Sequence, residues 1–148
     1  MRKEVPGLVN VDGYEVPDDY YYTELHTWAR LEGDGTATVG VTTIGVKLAG
    51  NITHVRTKKV GMRVKQNATF GTMEAGKGVV RLPSPLSGEI LEVNPALAER
   101  NLDPVNQDPY GAGWLLKMRV DDPGEVKNLI GGERVASWAA EEAKKVSK

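Results

Sequence analysis

The amino-acid sequence predicts a mainly β domain, built as a sandwich or flattened barrel, with helical segments added towards the C-terminal end. Two observations support this prediction. From residue 21 onwards, short segments rich in β-branched and aromatic residues recur between frequent glycines and prolines. The apolar share of 40% and the charged share of 26% are ordinary for a folded domain, and 148 residues are enough for one hydrophobic core.

The strand segments follow one another at short intervals. Residues 1–20 form a polar extension rich in Pro, Gly and Asp, so we place the domain itself at residues 21–148. The segment YYTELHTWARLE, the turn GDG and the segment TATVGVT predict a hairpin. Further strands are predicted in NITHVRT, in the stretch that follows KKVGM, and in GVVRL, GEILEVN and GWLLKMRV.

Three segments predict helices instead. The segment TIGVKLAG is short and is ended by Gly50. In DDPGEVKNLIGG, Asp122 suits an N-cap, Pro123 suits the first turn, and Glu125 completes a capping-box pattern. The segment ERVASWAAEEAKKVS predicts a C-terminal helix, whose apolar face includes Trp138 as its contact with the domain.

Charge and hydropathy exclude several classes of partner. The 19 basic and 20 acidic residues leave a net charge of -1, which provides no basic patch for nucleic acid or an acidic membrane. The sequence contains no apolar run of about 18 residues and no signal-like apolar segment near its start. We therefore expect a cytoplasmic protein that binds neither nucleic acid nor membrane.

The chain also lacks the side chains that most enzymes need. It contains no cysteine, which removes disulfides, thiolate metal sites and cysteine nucleophiles together. Its two histidines, His26 and His54, lie far apart and lack the spacing of a metal site. No nucleophile and base pair is recognisable. We expect a non-catalytic protein without a metal site, whose sulfur or redox chemistry would arrive on a cofactor.

One lysine is set apart by its neighbours. In TMEAGKGVVRLPSPLSGEI, Lys77 lies between Gly76 and Gly78, which suit a tight turn because they lack a Cβ atom. The prolines that follow stiffen the return strand. The pattern predicts Lys77 at a hairpin tip, although by itself it fits a solvated turn lysine as well as a modified one.

Longer stretches change the interpretation of Lys77. The informative stretches are GTMEAGKGVVRLPSPLSGEILEVNPAL and VNQDPYGAGWLLKM, with HTW and TATVGVT upstream. Together they closely resemble the glycine cleavage H proteins, a family of lipoyl carriers. Glu74 matches the family's glutamate three residues before the modified lysine. The resemblance covers residues 21–146. It implies a lipoyl/biotinyl-type hybrid β-sandwich with lipoate in amide linkage to Lys77, as a swinging arm that serves separate enzymes.

The resemblance also marks candidate positions for a cleft that holds the arm. In the family, a Ser and a Glu around the His-Trp motif, and an Asp four residues after the lysine, help to hold the aminomethylated arm. The matching positions here are Leu25, Thr27 and Arg81, next to His26. Because a guanidinium repels an amine and attracts an anion, these changes predict a different cargo.

The sequence thus favours a carrier of a sulfur intermediate, similar to the H-like lipoate-binding proteins of the heterodisulfide-reductase-like route of sulfur oxidation. The alternative is the glycine cleavage H protein, which carries an aminomethyl group between glycine decarboxylase, aminomethyltransferase and dihydrolipoamide dehydrogenase. Either role implies a lipoate ligase or lipoyl synthesis enzymes as further partners. An unmodified interaction scaffold stays open, as do the role of the N-terminal extension and the oligomeric state.

Overall fold

Two antiparallel sheets pack against each other in the computed structural model, which describes residues 8–146. The larger sheet has six strands, which lie in the spatial order Tyr21–Tyr22, Thr27–Leu31, Thr36–Val41, Leu116–Val120, Gly88–Val93 and Arg63–Val64. The smaller sheet has three, in the order Ile52–Thr57, Thr69–Ala75 and Gly78–Pro83. The main hydrophobic core includes Val39 and Met118 from the larger sheet, and Phe70 and Leu82 from the smaller one. The predicted mainly β class is confirmed.

The elements follow the chain in this order. The strands are β1 (Leu8–Val11), β2 (Tyr14–Pro17), β3 (Tyr21–Tyr22), β4 (Thr27–Leu31), β5 (Thr36–Val41), β6 (Ile52–Thr57), β7 (Arg63–Val64), β8 (Thr69–Ala75), β9 (Gly78–Pro83), β10 (Gly88–Val93) and β11 (Leu116–Val120). The helices are α1 (Thr43–Ala49), α2 (Pro95–Ala98), α3 (Asp103–Gln107), a 3₁₀ helix (Pro123–Asn128) and α4 (Arg134–Val146).

Part of the predicted N-terminal extension is a hairpin. Strands β1 and β2 pair with each other and pack against α4. Val16 is fully buried in a second hydrophobic cluster with Tyr22, Trp28 and Val135. Residues 1–7 of the extension lie outside the described residues. The hairpin therefore covers one side of the C-terminal helix. The division into an extension at residues 1–20 and a domain at residues 21–148 stays a prediction.

The predicted helices form at the expected places, with one difference. Helix α1 is capped by Thr42, whose hydroxyl accepts a hydrogen bond from the Gly45 amide, and it ends at Gly50. The DDPGEV segment forms a 3₁₀ helix, but the predicted capping box is absent. Glu125 does not complete a capping box, because its carboxylate accepts hydrogen bonds from the amide and hydroxyl of Ser87. This contact joins the segment to the turn before β10.

The smaller sheet depends on a glycine at a close approach of two strands. Gly71 of β8 pairs with Thr57 of β6, and a Cβ atom at residue 71 would overlap the carbonyl oxygen of Arg56. A larger residue would force the two backbones apart, and both strands border the Lys77 hairpin. The sheet that carries Lys77 thus requires glycine at this position.

We expect Gly71→Ala to lower the free energy of unfolding by about 2 kcal/mol or more, because the added methyl group would disrupt the β6–β8 pairing. Urea denaturation followed by circular dichroism measures the loss. The control is Gly76→Ala, since a Cβ atom at residue 76 has no neighbour within 4 Å. Equal stability of the two variants would contradict the prediction.

Candidate functional site

Lys77 lies at the tip of the hairpin between β8 and β9. The turn has two residues, Gly76 and Lys77, because Ala75 pairs directly with Gly78. Gly78 has a φ angle of 127°, a backbone conformation that favours glycine, whereas Gly76 does not have a positive φ angle. Lys77 is exposed. The structure therefore places the lysine where a modifying enzyme has access to its side chain.

The backbone of this turn is held by the C-terminal end of α1. The Lys77 amide donates a hydrogen bond to the Ala49 carbonyl at 3.1 Å, and the Gly76 amide donates to the Asn51 carbonyl at 3.2 Å. Gly50, with a φ angle of 95°, bends the chain between these two acceptors. The exposed side chain of Lys77 thus extends from a backbone with a fixed position.

A cavity of about 350 Å³ opens beside Lys77. Its volume falls at the lower end of the range of small-molecule sites. The apolar part of its wall is formed by side chains from five elements or loops: Leu25, Val41, Leu48, Ala49, Met73, Val79, Val80 and Leu82. Its polar part is formed by Glu24, His26, Glu142 and Lys145. The cavity is therefore apolar with a cluster of charged and polar groups.

His26 and Glu142 form a buried pair within that polar cluster. His26 Nε2 lies 2.7 Å from Glu142 Oε1, and His26 Nδ1 lies 2.8 Å from the hydroxyl of Thr42. The Thr42 hydroxyl oxygen accepts a hydrogen bond from the Gly45 amide, so the hydroxyl proton can be donated to His26 Nδ1. A carboxylate can only accept, so Nε2 carries the proton of the neutral ring. The network joins α4 to the start of α1.

Burial sets the protonation state of this pair. Burial lowers the pKa of His26 below its ordinary value of 6.5, and the hydrogen bond and charge of Glu142 only partly oppose that shift. Burial alone would raise the pKa of Glu142, but hydrogen bonds from Lys145 and His26 hold it below its usual value of 4.5. At neutral pH, Glu142 is therefore an anion beside a neutral imidazole.

Two further side chains complete the polar cluster. Lys145 Nζ lies 2.8 Å from Glu142 Oε2 and remains 61% exposed. Glu24 accepts a hydrogen bond from the indole of Trp138 at 2.8 Å. The Trp138 ring also packs against His26, with ring centroids 4.9 Å apart. The predicted contact of Trp138 with the domain is thus made directly at the polar end of the cavity.

The structure separates the four cleft candidates. Leu25 and His26 line the cavity beside Lys77. Thr27 does not, because it is fully buried and its hydroxyl donates to the Pro83 carbonyl at 2.7 Å. Arg81 is exposed and donates to the Asn67 carbonyl and the Thr69 hydroxyl.

Arg81 lines a different cavity of about 270 Å³, which it shares with Arg134 and Leu25. Along β9, Val80 and Leu82 line the cavity beside Lys77, and Arg81 between them does not. The guanidinium that suggested an anionic cargo therefore does not contribute to the cavity next to the lysine.

Glu74 lies on the exposed side of the hairpin. Its carboxylate is 3.3 Å from His54 Nδ1, and both side chains are 43% exposed. It does not line the cavity beside Lys77. Glu74 is available to an enzyme that approaches the hairpin from outside.

The sequence analysis missed three polar residues of the cavity, Glu24, Glu142 and Lys145, as well as most of its apolar wall. The contact between His26 and Glu142 joins positions 116 residues apart, so local patterns did not indicate it. One signal was present, since Glu142 follows Ala139 by three positions on the buried side of α4. A carboxylate on the buried face of a helix requires a partner.

These features define a class of protein. An exposed lysine on a fixed two-residue turn, beside a largely apolar cavity, is the arrangement expected of a domain that presents a covalently attached acyl cofactor. The apolar wall fits an aliphatic acyl chain, and the accessible amine fits its attachment. In lipoate, the dithiolane supplies the sulfur chemistry that a cysteine-free chain lacks.

Comparisons with known proteins identify the family. Residues 20–142 match the family model described as "Glycine cleavage H-protein". A protein of Sulfurisphaera tokodaii named "Probable glycine cleavage system H protein 2" is 42% identical over 137 residues, which cover 90% of this chain and 92% of that one. The glycine cleavage system H protein of Chlorobium limicola is 45% identical over 116 residues, covering 78% and 90%.

A solved structure agrees with these sequences. The crystal structure of a glycine cleavage system H protein from Mycobacterium marinum superposes with a TM-score of 0.69 at 30% identity, covering 85% of this chain and 98% of that one. The chain belongs to the glycine cleavage H-protein family. It is a non-catalytic lipoyl carrier with lipoate attached covalently to a lysine. The predicted family, fold, cofactor and absence of catalysis are confirmed.

Two features are absent from residues 8–146. In that range, no helix has the length and apolar character needed to cross a membrane. Over the same residues, no group of three or more His, Asp or Glu side chains could hold a metal ion.

The His26–Glu142 pair predicts a pH-dependent stability. The lowered pKa of His26 means that unfolding lets the ring take up a proton below its ordinary value of 6.5, so acid favours the unfolded chain. We expect the free energy of unfolding to fall as the pH is lowered from about 7 to 5. His26→Gln should flatten this dependence, as measured by denaturant titrations across that range.

The second histidine supplies the control. His54→Gln changes a half-exposed side chain and should retain the dependence of the wild type. If the His26→Gln variant kept the pH dependence of the wild type as well, the His26–Glu142 pair would not be the source of that dependence.

Proposed function

We propose that the chain is the lipoyl carrier of a glycine cleavage system, with lipoate attached at Lys77. In this role it carries the aminomethyl group between glycine decarboxylase, aminomethyltransferase and dihydrolipoamide dehydrogenase, after a lipoate ligase or lipoyl synthesis enzymes have modified it. The observation that carries the proposal is the exposed Lys77 on a fixed turn beside a cavity with an apolar wall and two carboxylates. The names of its relatives support the pathway.

The sulfur-transfer role, which the sequence favoured, has weaker support. It depended on Leu25, Thr27 and Arg81, and of these only Leu25 lines the cavity beside Lys77. Glu24 and Glu142 bring carboxylates to the cavity, which suits an amine better than an anion. The one observation that favours an anionic cargo is the neighbouring cavity, which contains Arg81 and Arg134 and is also lined by Glu24.

Lys77→Arg should abolish lipoylation, because a guanidinium cannot form the required amide, while the exposed position leaves folding intact. Intact mass spectrometry of protein from lipoylating cells measures the modification, and glycine-dependent loading in the presence of glycine decarboxylase measures the function. The control is Lys47→Arg, since Lys47 lines a shallow cavity together with Lys77. A lipoylated Lys77→Arg protein would refute the assignment of the site.

A second variant separates the two cargoes. Arg81 donates its hydrogen bonds outside the cavity beside Lys77, so Arg81→Gln should leave the rate of glycine-dependent loading within about twofold of the wild type, because exposed charges are screened. The rate is measured with lipoylated protein and glycine decarboxylase. A tenfold or larger change, or no loading of the wild type at all, would count against the proposal.

A further inference from the structure

The polar end of the cavity has the composition of a receptor for an amine. We propose that Glu142 and Glu24 receive a primary ammonium group at the end of an acylated Lys77 side chain, and that this ammonium replaces Lys145 Nζ at Glu142. The proposal deepens the glycine cleavage role and rests on it for the identity of the natural cargo. It assigns the binding of that cargo to residues on α4 and on the loop before β4, and not to Thr27 or Arg81.

The charge balance inside the cavity favours the binding of a cation. Among the described residues that line it, the carboxylates are Glu24 and Glu142, and the lysines are Lys77 and Lys145. Acylation turns Lys77 into a neutral amide, and the buried imidazole of His26 is neutral at pH 7. Two anions then face one cation. The modified cavity therefore carries excess negative charge and favours a second cation.

Glu142 already binds an alkylammonium group, that of Lys145. Lys145 Nζ lies 2.8 Å from Glu142 Oε2, within the range of a charge-assisted hydrogen bond. The Lys145 side chain is 61% exposed, and the Glu142 side chain is 11% exposed. The lysine can return to water at little cost, whereas the buried carboxylate cannot remain unpaired without penalty. Exchange of one ammonium for another keeps the carboxylate paired.

The modified side chain of Lys77 is long enough to reach the polar end of the cavity. The turn at Lys77 hydrogen-bonds to Ala49 at the end of α1, and the His26 ring bonds to Thr42 at its start. The seven residues of α1 between these contacts span about 10 Å at 1.5 Å per residue. A lysine side chain extended by the acyl chain of lipoate covers that distance along the apolar wall.

The absence of cysteine makes a direct test simple. Lys77→Cys introduces one thiol, which can be alkylated with aliphatic chains as long as the side chain of lipoyllysine. Three chains are compared, ending in a primary amine, a methyl group or a carboxylate. Thermal unfolding of each conjugate reports whether the chain end is bound. The comparison is repeated in four backgrounds: Glu142→Gln, Glu141→Gln, Lys145→Gln and Lys144→Gln.

The quantity of interest is the Tm of the amine conjugate minus that of the methyl conjugate, because losses common to both chains cancel. We expect this difference to fall by about 2 °C or more in Glu142→Gln. It should persist in Glu141→Gln, because the Glu141 side chain at the adjacent position of α4 is 72% exposed. It should grow in Lys145→Gln, where the competing ammonium is gone, and stay unchanged in Lys144→Gln.

Nuclear magnetic resonance of the lysine ammonium groups gives a second readout. In the amine conjugate, the Lys145 signal should move towards that of the exposed Lys144, because Lys145 leaves Glu142. In the methyl and carboxylate conjugates it should not move. A Lys145 signal that is identical in all three conjugates would contradict the exchange.

The outcomes separate this inference from the proposed function. An amine-minus-methyl difference that is the same in Glu142→Gln and Glu141→Gln would overturn the receptor, even if Lys77 accepts a glycine-derived cargo. A carboxylate conjugate more stable than the amine conjugate would also overturn it and would favour an anionic cargo. Docking of the amine chain without any glycine-dependent loading of lipoylated protein would leave the receptor standing and refute the glycine cleavage role.

Discussion

The hydrogen bonds at the two ends of α1 determine the geometry of the whole site. At its C-terminal end, the Ala49 carbonyl holds the amide of Lys77, and at its N-terminal end, Thr42 binds the ring of His26. A helix is stiff along its axis, so the separation between the lysine turn and the polar end of the cavity is fixed by the length of α1. Both sheets and α4 contribute walls to the cavity, but α1 sets the distance between its two functional ends.

The sequence predicted the features of this protein that depend on neighbouring residues. The hairpin tip at Lys77, the end of α1 at Gly50 and the C-terminal helix were all recognisable from local patterns. The DDPGEV segment was predicted to be a helix with a capping box; it forms a 3₁₀ helix, but the capping box is absent because Glu125 binds Ser87 in a distant turn. Local capping rules cannot anticipate a competing partner from another part of the chain.

The cavity was harder to predict, because its polar end is assembled from segments at opposite ends of the sequence. Glu142 meets His26 across 116 positions. Arg81 was assigned to the cleft by its matching position in the family, although Val79, Val80 and Leu82 of β9 line the cavity beside Lys77 and Arg81 does not. A resemblance transfers positions reliably and the directions of side chains less so.

Glu142 has both a structural and a binding role, and its ion pair with Lys145 makes the two compatible. A buried carboxylate paired only with a neutral histidine would be costly in the empty protein, since histidine supplies a hydrogen bond but no charge. Lys145 supplies that charge from the surface, where its own side chain gives up little hydration. Because Lys145 stays within reach and competes for the same carboxylate, the ligand ammonium binds less tightly than it would to an unpaired Glu142. A carrier has to release its arm to each enzyme in turn, and a receptor whose own lysine takes back the carboxylate lowers the free energy needed for that release.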